Sequence, residues 1–426
     1  MSAGIMNAVA TGVLGLVGLF VASLVFERIQ TAVYLARSID RERALLRQRI
    51  GQMRDRRNIE KQNAELSWNG FRKFVIARKV MEGGDICSFY LQPHDNKPLP
   101  GFQPGQFLTF RLFIGPDRKQ VIRCYSLSDR PREDYYRVSI KKIPPPREPA
   151  GAPGGLVSSY FHDQLKVGDI VDVKAPSGGF YLDMHRNNPA VLIGGGVGIT
   201  PVLSMLNAIV ESGQDRETWF FLGIKSGEHH VFKEHLARIA REHPNVRLTV
   251  CYSDPEPDSA LGTDYHHRGH VGIDLFKSLL PSNNYDYYFC GPPPMMNSLA
   301  EGLEKWGVPA SAIHYEAFGP ATVKKVATVV SPETHAPTEG VKAIAVQFSK
   351  SQKTAQWTPG MGSVLELAEA NGVHIDSGCR AGNCGTCLTA VKSGEVIYPT
   401  PPGFAPESGS CLVCVAMPKA ALTVDA

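Results

Sequence analysis

Charge of one dominant sign, cysteine at disulfide-scaffold density and charged residues near the start are all missing from this 426-residue chain. Lys and Arg number 45 against 41 Asp and Glu, so a nucleic-acid role has no electrostatic support. Nine cysteines are too few to staple a protein of this size, and four of them fall in a spacing that argues for metal. Residues 3–26 carry no charged side chain, and no Lys or Arg precedes them. The basic leader region of a signal peptide is therefore lacking.

What that uncharged stretch does have is length. GIMNAVATGVLGLVGLFVASLVF is long enough to cross a bilayer as one helix, and residues 1–26 are expected to do so. From Glu27 to Lys61 follow ten Lys or Arg and five Asp or Glu, a net of +5. The positive-inside rule then predicts the N-terminus outside and the remainder in the cytoplasm, at the inner (cytoplasmic) membrane. Leu35, Ile39, Leu46, Ile50 and Met53 recur at helical spacing, which makes residues 27–68 an amphipathic helix or a solvated stalk.

Residues 69–185 read as short strands separated by turns, the pattern of a β-barrel or sandwich. One of these strands ends in Arg123-Cys124-Tyr125-Ser126. A cation for a diphosphate, an aromatic ring for a flat tricycle and a small hydroxyl for a redox-active nitrogen stand there in order, which suits a flavin nucleotide. Further on, a helix is expected to begin near Ser158, and the Gly155-Leu156-Val157-Ser158 turn offers free backbone N–H groups and a hydroxyl cap, a seat for phosphate.

The period changes over residues 186–320, where apolar strands alternate with helices as in a doubly wound parallel sheet. The first strand runs into Gly194-Gly195-Gly196-Val197-Gly198, and glycines there let a dinucleotide pyrophosphate approach the backbone. The spacing departs from G-x-G-x-x-G. Thr200 is expected to cap the following helix and Pro201 to occupy its first position. Cys290-Gly291-Pro292 closes another strand at its carboxyl end, where open α/β sheets bind ligands. Residues 321–340 lack periodicity and read as a linker.

The last segment, 341–426, contains Cys379, Cys384, Cys387 and a distant Cys414 in the C-x4-C-x2-C…C pattern of a [2Fe–2S] cluster, whose two irons take two thiolates each. Cys411 competes for the fourth place. Zinc sites favour paired C-x2-C spacings instead.

Taken in order, RCYS, GLVSS, GGGVGITP, CGPPPMM and HYEAFGP make residues 70–320 resemble the ferredoxin–NADP reductase superfamily, and within it the FAD reductase half of flavohaemoglobins. The final segment is similar to plant-type ferredoxins. The resemblance implies a multidomain chain: one transmembrane helix, an antiparallel β-barrel FAD domain, a parallel α/β NAD domain and an α+β (β-grasp) ferredoxin domain. It further implies that Arg123 and Gly155–Ser158 hold the FAD diphosphate, that Tyr125 and Ser126 contact its ring, and that Lys141 joins the cofactor-binding set. Cys290 is placed by it beside the nicotinamide, with Glu316 and Phe318 near the flavin; Ser126, Cys290 and Glu316 are then the catalytic group.

A nicotinamide gives up a hydride, a cluster takes one electron at a time, and a flavin can connect the two. The expected function is thus a membrane-anchored reductase using FAD, NADH and a [2Fe–2S] cluster, passing single electrons to a membrane-bound acceptor protein or quinone. The module order resembles phthalate-dioxygenase-type reductases, which lack the span. The flavin subunit of sodium-pumping NADH:quinone reductase has a span with both modules, in the opposite order. A non-catalytic assembly subunit is the alternative of another class. NADH rather than NADPH follows from the flavohaemoglobin likeness; Lys225, after the second strand of the nucleotide domain, either meets a 2′-phosphate or is a surface lysine.

Overall fold

The computed structural model describes residues 2–145, 154–318, 343–382, 384–399, 402 and 406–426, so the linker expected at 321–340 lies outside the described residues. Two compact units divide the chain, Met1–Glu65 and Leu66–Ala426.

The first unit is one helix, α1 (Ser2–Leu66), which runs without a break through what the sequence divides into span and stalk. At 1.5 Å per residue it is roughly 100 Å long. Leu14–Thr31 within it has a mean hydropathy of 1.4 and is the one stretch among the described residues long and apolar enough to cross a membrane. Leu35, Ile39, Leu46, Ile50 and Met53 are all exposed.

The second unit holds three sheets. Strands β1 (Arg72–Gly83), β2 (Ile86–Pro93), β3 (Phe107–Ile114), β4 (Lys119–Ser126), β5 (Tyr136–Lys141) and β6 (Ile170–Val173) form an antiparallel sheet in the order β4-β3-β6-β1-β2-β5. Its two edges meet just past β4, where Leu127 bridges Val138 and Ser128 N donates to Arg137 O at 2.8 Å. Alternation along the strands turns Phe74, Phe89 and Phe110 inward. A short helix, α2 (Leu156–Ser159), passes into a π-helical turn at Tyr160–Gln164 that drives Phe161 into this core, edge-on to Phe89, Phe110 and Tyr125.

The second sheet is parallel: β7 (Ala190–Gly195), β8 (Thr218–Ile224), β9 (Val246–Tyr252), β10 (His267–Arg268), β11 (Asp286–Cys290) and β12 (Ile313–Glu316), in the order β10-β9-β8-β7-β11-β12. Helices α3 (Ile199–Glu211), α4 (Lys233–Glu242), α5 (Ile273–Leu279) and α6 (Pro293–Lys305) accompany it, and hydrophobic clusters form on both faces. The near-continuous apolar runs VLI and WFFL are what a sheet covered on both sides demands. Strand order reverses between β7 and β11, which opens a crevice at their carboxyl ends.

The third sheet is mixed: β13 (Ile344–Phe348), β14 (Lys353–Trp357), β15 (Leu388–Ser393), β17 (Ser410–Leu412) and β19 (Leu422–Val424), with β16 (Val396–Ile397) and β18 (Met417–Pro418) paired separately. Helix α7 (Val364–Ala370) packs on it. Its start is set by a reciprocal cap, Glu366 N donating to Ser363 Oγ and Ser363 N to Glu366 Oε2.

Candidate functional site

Three strand ends converge on the crevice. Ser126 finishes β4, Cys290 finishes β11 and Glu316 finishes β12, with Cys290 and Glu316 in register. Cys290 is fully buried, and burial followed by the charge of Glu316 raises its thiol. Burial lifts the Glu316 carboxyl to about 8, against a smaller opposing pull from Ser126. One Glu316 oxygen, Oε2, is sealed from solvent with no partner among the described residues. A neutral carboxyl, a thiol and a hydroxyl thus share one site at neutral pH.

The glycine turn lies against the same strand end. A Cβ at Gly198 would sit 2.2 Å from Cys290 O, and one at Gly195 would sit 2.8 Å from both Pro292 Cδ and Met295 Sδ. Gly196 adopts φ +55°, the left-handed region. Gly194, Val197 and Gly291 complete this clasp between the two turns.

Two caps differ from expectation. Thr200 does not cap α3: the helix begins at Ile199 with Gly198 as its cap residue, and the Thr200 hydroxyl donates to Val197 O at 3.1 Å. Pro201 consequently sits in the first turn rather than at its first position. A short 3-10 turn over Gly196–Gly198 starts the helix early. At α2 the cap residue is Gly155 with no side-chain cap, and the Ser158 hydroxyl lies over the first turn, accepting from Ile143 N at 3.1 Å and donating to Gly155 O at 3.0 Å. Leu156 is exposed and Val157 buried beside it.

On β4, Arg123 and Tyr125 alternate with Cys124 and Ser126. Arg123 is exposed, its guanidinium donating to Ile122 O at 2.7 Å. Tyr125 packs edge-on to Phe110 and Phe161, and burial raises its hydroxyl. Lys141 ends β5 opposite Ile86, and Phe318 is exposed just past β12. An exposed cation and a fixed aromatic ring on β4, with a sealed carboxyl oxygen at the end of β12, fit a flavin nucleotide.

The cysteines of the third sheet's loop fall into two pairs. Cys379 N donates to Cys384 Sγ at 3.3 Å and Ala381 N to Cys379 Sγ at 3.4 Å. Cys387 and Cys414 share a hydrogen bond that, with backbone N–H groups, pulls Cys387 down. Cys411, in the same hydrophobic core as Cys387 and Cys414, sits on β17, where burial pushes its thiol to about 12. The Thr386 hydroxyl is buried in this loop beside Cys384. Among the described residues no three His, Cys, Asp or Glu converge on one point. Two thiol pairs with N–H groups aimed at sulfur fit a binuclear cluster, two thiolates to each iron.

Sequence reasoning passed over two features. Cys124 lies between Arg123 and Tyr125 yet faces the cysteine loop: a Cβ on Gly378 would meet Cys384 Sγ, Thr386 Oγ1 and Cys124 Sγ, the last at 3.4 Å. Hydrogen bonds with the Cys124 and Cys379 thiols hold Cys384 well below the usual thiol range. Gln120, on the same strand, donates to Asp376 at 3.3 Å. The second feature is Asp129, which joins the first two sheets. Its Oδ1 accepts from Asn207 at 3.0 Å, its backbone oxygen from Ser204 at 2.6 Å, and its Oδ2 from Tyr135 at 2.8 Å and Arg132 at 3.3 Å. His235 continues the network to Asn207 at 2.7 Å. A loop aspartate with no motif around it gives no signal in one sequence.

Known proteins resemble these parts. Residues 73–181 match the oxidoreductase FAD-binding domain, 192–301 the oxidoreductase NAD-binding domain and 346–419 the 2Fe-2S iron-sulfur cluster binding domain. A flavohemoprotein of Halalkalibacterium halodurans is 39% identical over 263 residues, 62% of this chain and 63% of that protein. The chain thus spans less than two thirds of the length of this relative. The flavohem-like FAD/NAD binding domain of nitric oxide dioxygenase from Vibrio cholerae is 32% identical with a TM-score of 0.52, and is covered completely by 59% of this chain. Phthalate dioxygenase reductase, described as a modular structure for electron transfer from pyridine nucleotides to [2Fe–2S], is 27% identical with a TM-score of 0.50 over 84% of this chain and 98% of that one. The chain therefore carries FAD-binding, NAD-binding and [2Fe–2S]-binding domains.

Proposed function

Because the chain belongs to the ferredoxin–NADP reductase superfamily of FAD/NAD oxidoreductases and adds a [2Fe–2S] domain, we propose that it is an NADH-dependent reductase delivering single electrons to a membrane-associated acceptor, a protein or a quinone. One observation carries this reading. Ser126, at the crevice with Cys290 and Glu316, and Cys124, against Cys384, stand two residues apart on one strand. Alternation places both on the same side of β4. The side that receives a hydride and the side that releases single electrons then share one short piece of backbone.

In this reading Gly194–Gly198 admit the NADH pyrophosphate, and Cys290, Gly291 and Pro292 seat the nicotinamide. Arg123 and the Gly155–Ser158 turn pair with the FAD diphosphate, Lys141 supports that nucleotide, Tyr125 and Phe318 line its ring, and Ser126 donates a hydrogen bond toward it. Glu316, neutral below about pH 8, holds a proton at the crevice floor. Cys379, Cys384, Cys387 and Cys414 are the cluster ligands. The bound flavin supplies conversion of an electron pair into single electrons. The domains are drawn at 69–185, 186–320 and 341–426, with 1–26 as a membrane span, 27–68 as its basic stalk and 321–340 as a linker.

Anaerobic titration of detergent-purified full-length protein with NADH, followed by absorbance and EPR, tests the reading. Flavin bleaching accompanied by a reduced [2Fe–2S] signal is expected. Flavin reduction alone, or no response, overturns it. The anchor is tested by alkaline extraction of membranes: the intact chain is expected in the pellet, and release into the supernatant removes the anchor from the proposal.

A further inference from the structure

The far side of the crevice, away from Cys290, is formed by the segments that follow β8 and β9. In dinucleotide folds the adenosine ribose reaches the carboxyl end of the strand after the glycine turn, where an acid binding its hydroxyls selects the nucleotide without a 2′-phosphate. Here that strand is β8; Lys225, Ser226 and Gly227 directly after it bring no acid, and Glu228 beyond them has its side chain exposed while its backbone N–H turns inward to a second acid.

An acid arrives from the next strand. Glu256, four residues past β9, reaches across to the end of β8. Its Oε2 accepts from Gly227 N at 3.0 Å and from Ser259 Oγ at 3.0 Å, and its Oε1 from Glu228 N at 3.4 Å. The Ser226 hydroxyl, then the Gly227 N–H, hold its carboxyl down at about 2, so it stays ionised at physiological pH. Lys225, the one cation directly after β8, is turned to Asp254 at 3.7 Å, both side chains largely in solvent.

We infer that Glu256 is the residue that selects NADH: its fixed carboxylate accepts from the adenosine ribose and repels a 2′-phosphate brought to the same strand end. The donors that would otherwise receive a phosphate there, Gly227 N, Glu228 N and Ser259 Oγ, are already engaged by a group of the same sign. A partner is thus rejected by a built-in like charge rather than by a missing contact. This inference rests on the NADH reading above and adds the residue responsible for it.

The test uses full-length holoprotein in detergent. Binding of adenosine 5′-diphosphate and adenosine 2′,5′-bisphosphate is measured by calorimetry, and kcat/KM for NADH and NADPH alongside, for the wild type, Glu256→Gln and, as a comparison, Asp254→Asn. Gln keeps the side-chain shape and an acceptor oxygen, and retained flavin absorbance reports folding. Glu256→Gln is expected to lower the NADH/NADPH preference on the order of tenfold or more and to tighten the 2′,5′-bisphosphate selectively. Asp254→Asn, lacking such fixation, is expected to change the preference less than threefold or so. If Glu256→Gln leaves both the preference and the bisphosphate affinity at wild-type values while the wild type prefers NADH, Glu256 is not the selector and the NADH reading stands. A wild type that prefers NADPH overturns both.

Discussion

The crevice between the first two sheets and the junction between β4 and the cysteine loop are joined in different ways. At the crevice, Asp129 alone is bound by Asn207, Ser204, Tyr135 and Arg132, and the guanidinium of Arg137 stacks over Phe232 at 5.5 Å. Salt bridges from Arg130 and Arg132 to Glu211 close its rim. At the junction, the polar link among the described residues is Gln120 to Asp376, exposed, beside the packed sulfurs of Cys124 and Cys384. Hydride transfer requires reacting atoms held near van der Waals contact, and small displacements cost large factors in rate. Transfer of a single electron lacks that requirement. The chain rigidifies the joint where bond-making geometry matters and leaves a lighter contact where it does not.

The strongest break in this comparison is removal of a cluster ligand. Cys387→Ser is expected to abolish the [2Fe–2S] absorbance and EPR signal outright while NADH still bleaches the flavin; a retained signal would show that Cys387 is no ligand. Next is Asp129→Ala, which leaves Arg137 and Asn207 uncompensated at a buried site and is expected to lower unfolding free energy by about 2–4 kcal/mol. Single-turnover flavin reduction by NADH should slow with it, whereas dithionite reduction of the cluster should not. Equal loss of both rates would deny the crevice its separate rigidity.

Acid sharpens the same point. Burial, then Arg137, holds His235 at about 4, below its unfolded value of 6.5. Between those values the unfolded chain takes up the proton first, so stability falls as pH drops from 6.5 toward 4 and is unaffected by this group above 6.5. His235→Gln should flatten that part of a denaturation series against pH, and an unchanged slope would remove His235 from the account. The smallest effect belongs to the junction: Gln120→Ala breaks an exposed hydrogen bond and is expected to cost about 0–1 kcal/mol and to leave flavin-to-cluster transfer within about twofold. A tenfold slowing would mean that the light contact is the one that governs electron flow.

Much of the architecture is legible in the sequence because its chemistry needs fixed spacing. The six strands of the first sheet, the parallel sheet after Pro189 and the two cysteine pairs all follow from local period or from ligand count. The caps were less legible: Thr200-Pro201 has the composition of a helix start, yet the 3-10 turn at Gly196 moves the start to Ile199. Asp129 with Asn207 lies 78 residues away in sequence, and Glu256 meets Gly227 across 29. The first pair exists only once the first sheet docks on α3, and the second only once β8 and β9 lie side by side. Cys124 was hidden differently, since its position inside a flavin motif drew attention to its neighbours.

The 2.2 Å between a hypothetical Gly198 Cβ and Cys290 O has an implication for how such a site can change. In the proposed reading the Gly198 turn would admit phosphate and the Cys290 turn would lie beneath the nicotinamide; they pack directly against each other, so neither can be exchanged for a homologous segment by itself. A chimera that imports one turn without the other would bring a side chain or a longer loop into a space already filled by backbone. Recombination of coenzyme sites within this superfamily should therefore succeed when both turns travel together, and the glycine-rich segment and the CGPP segment are to be treated as a single heritable part.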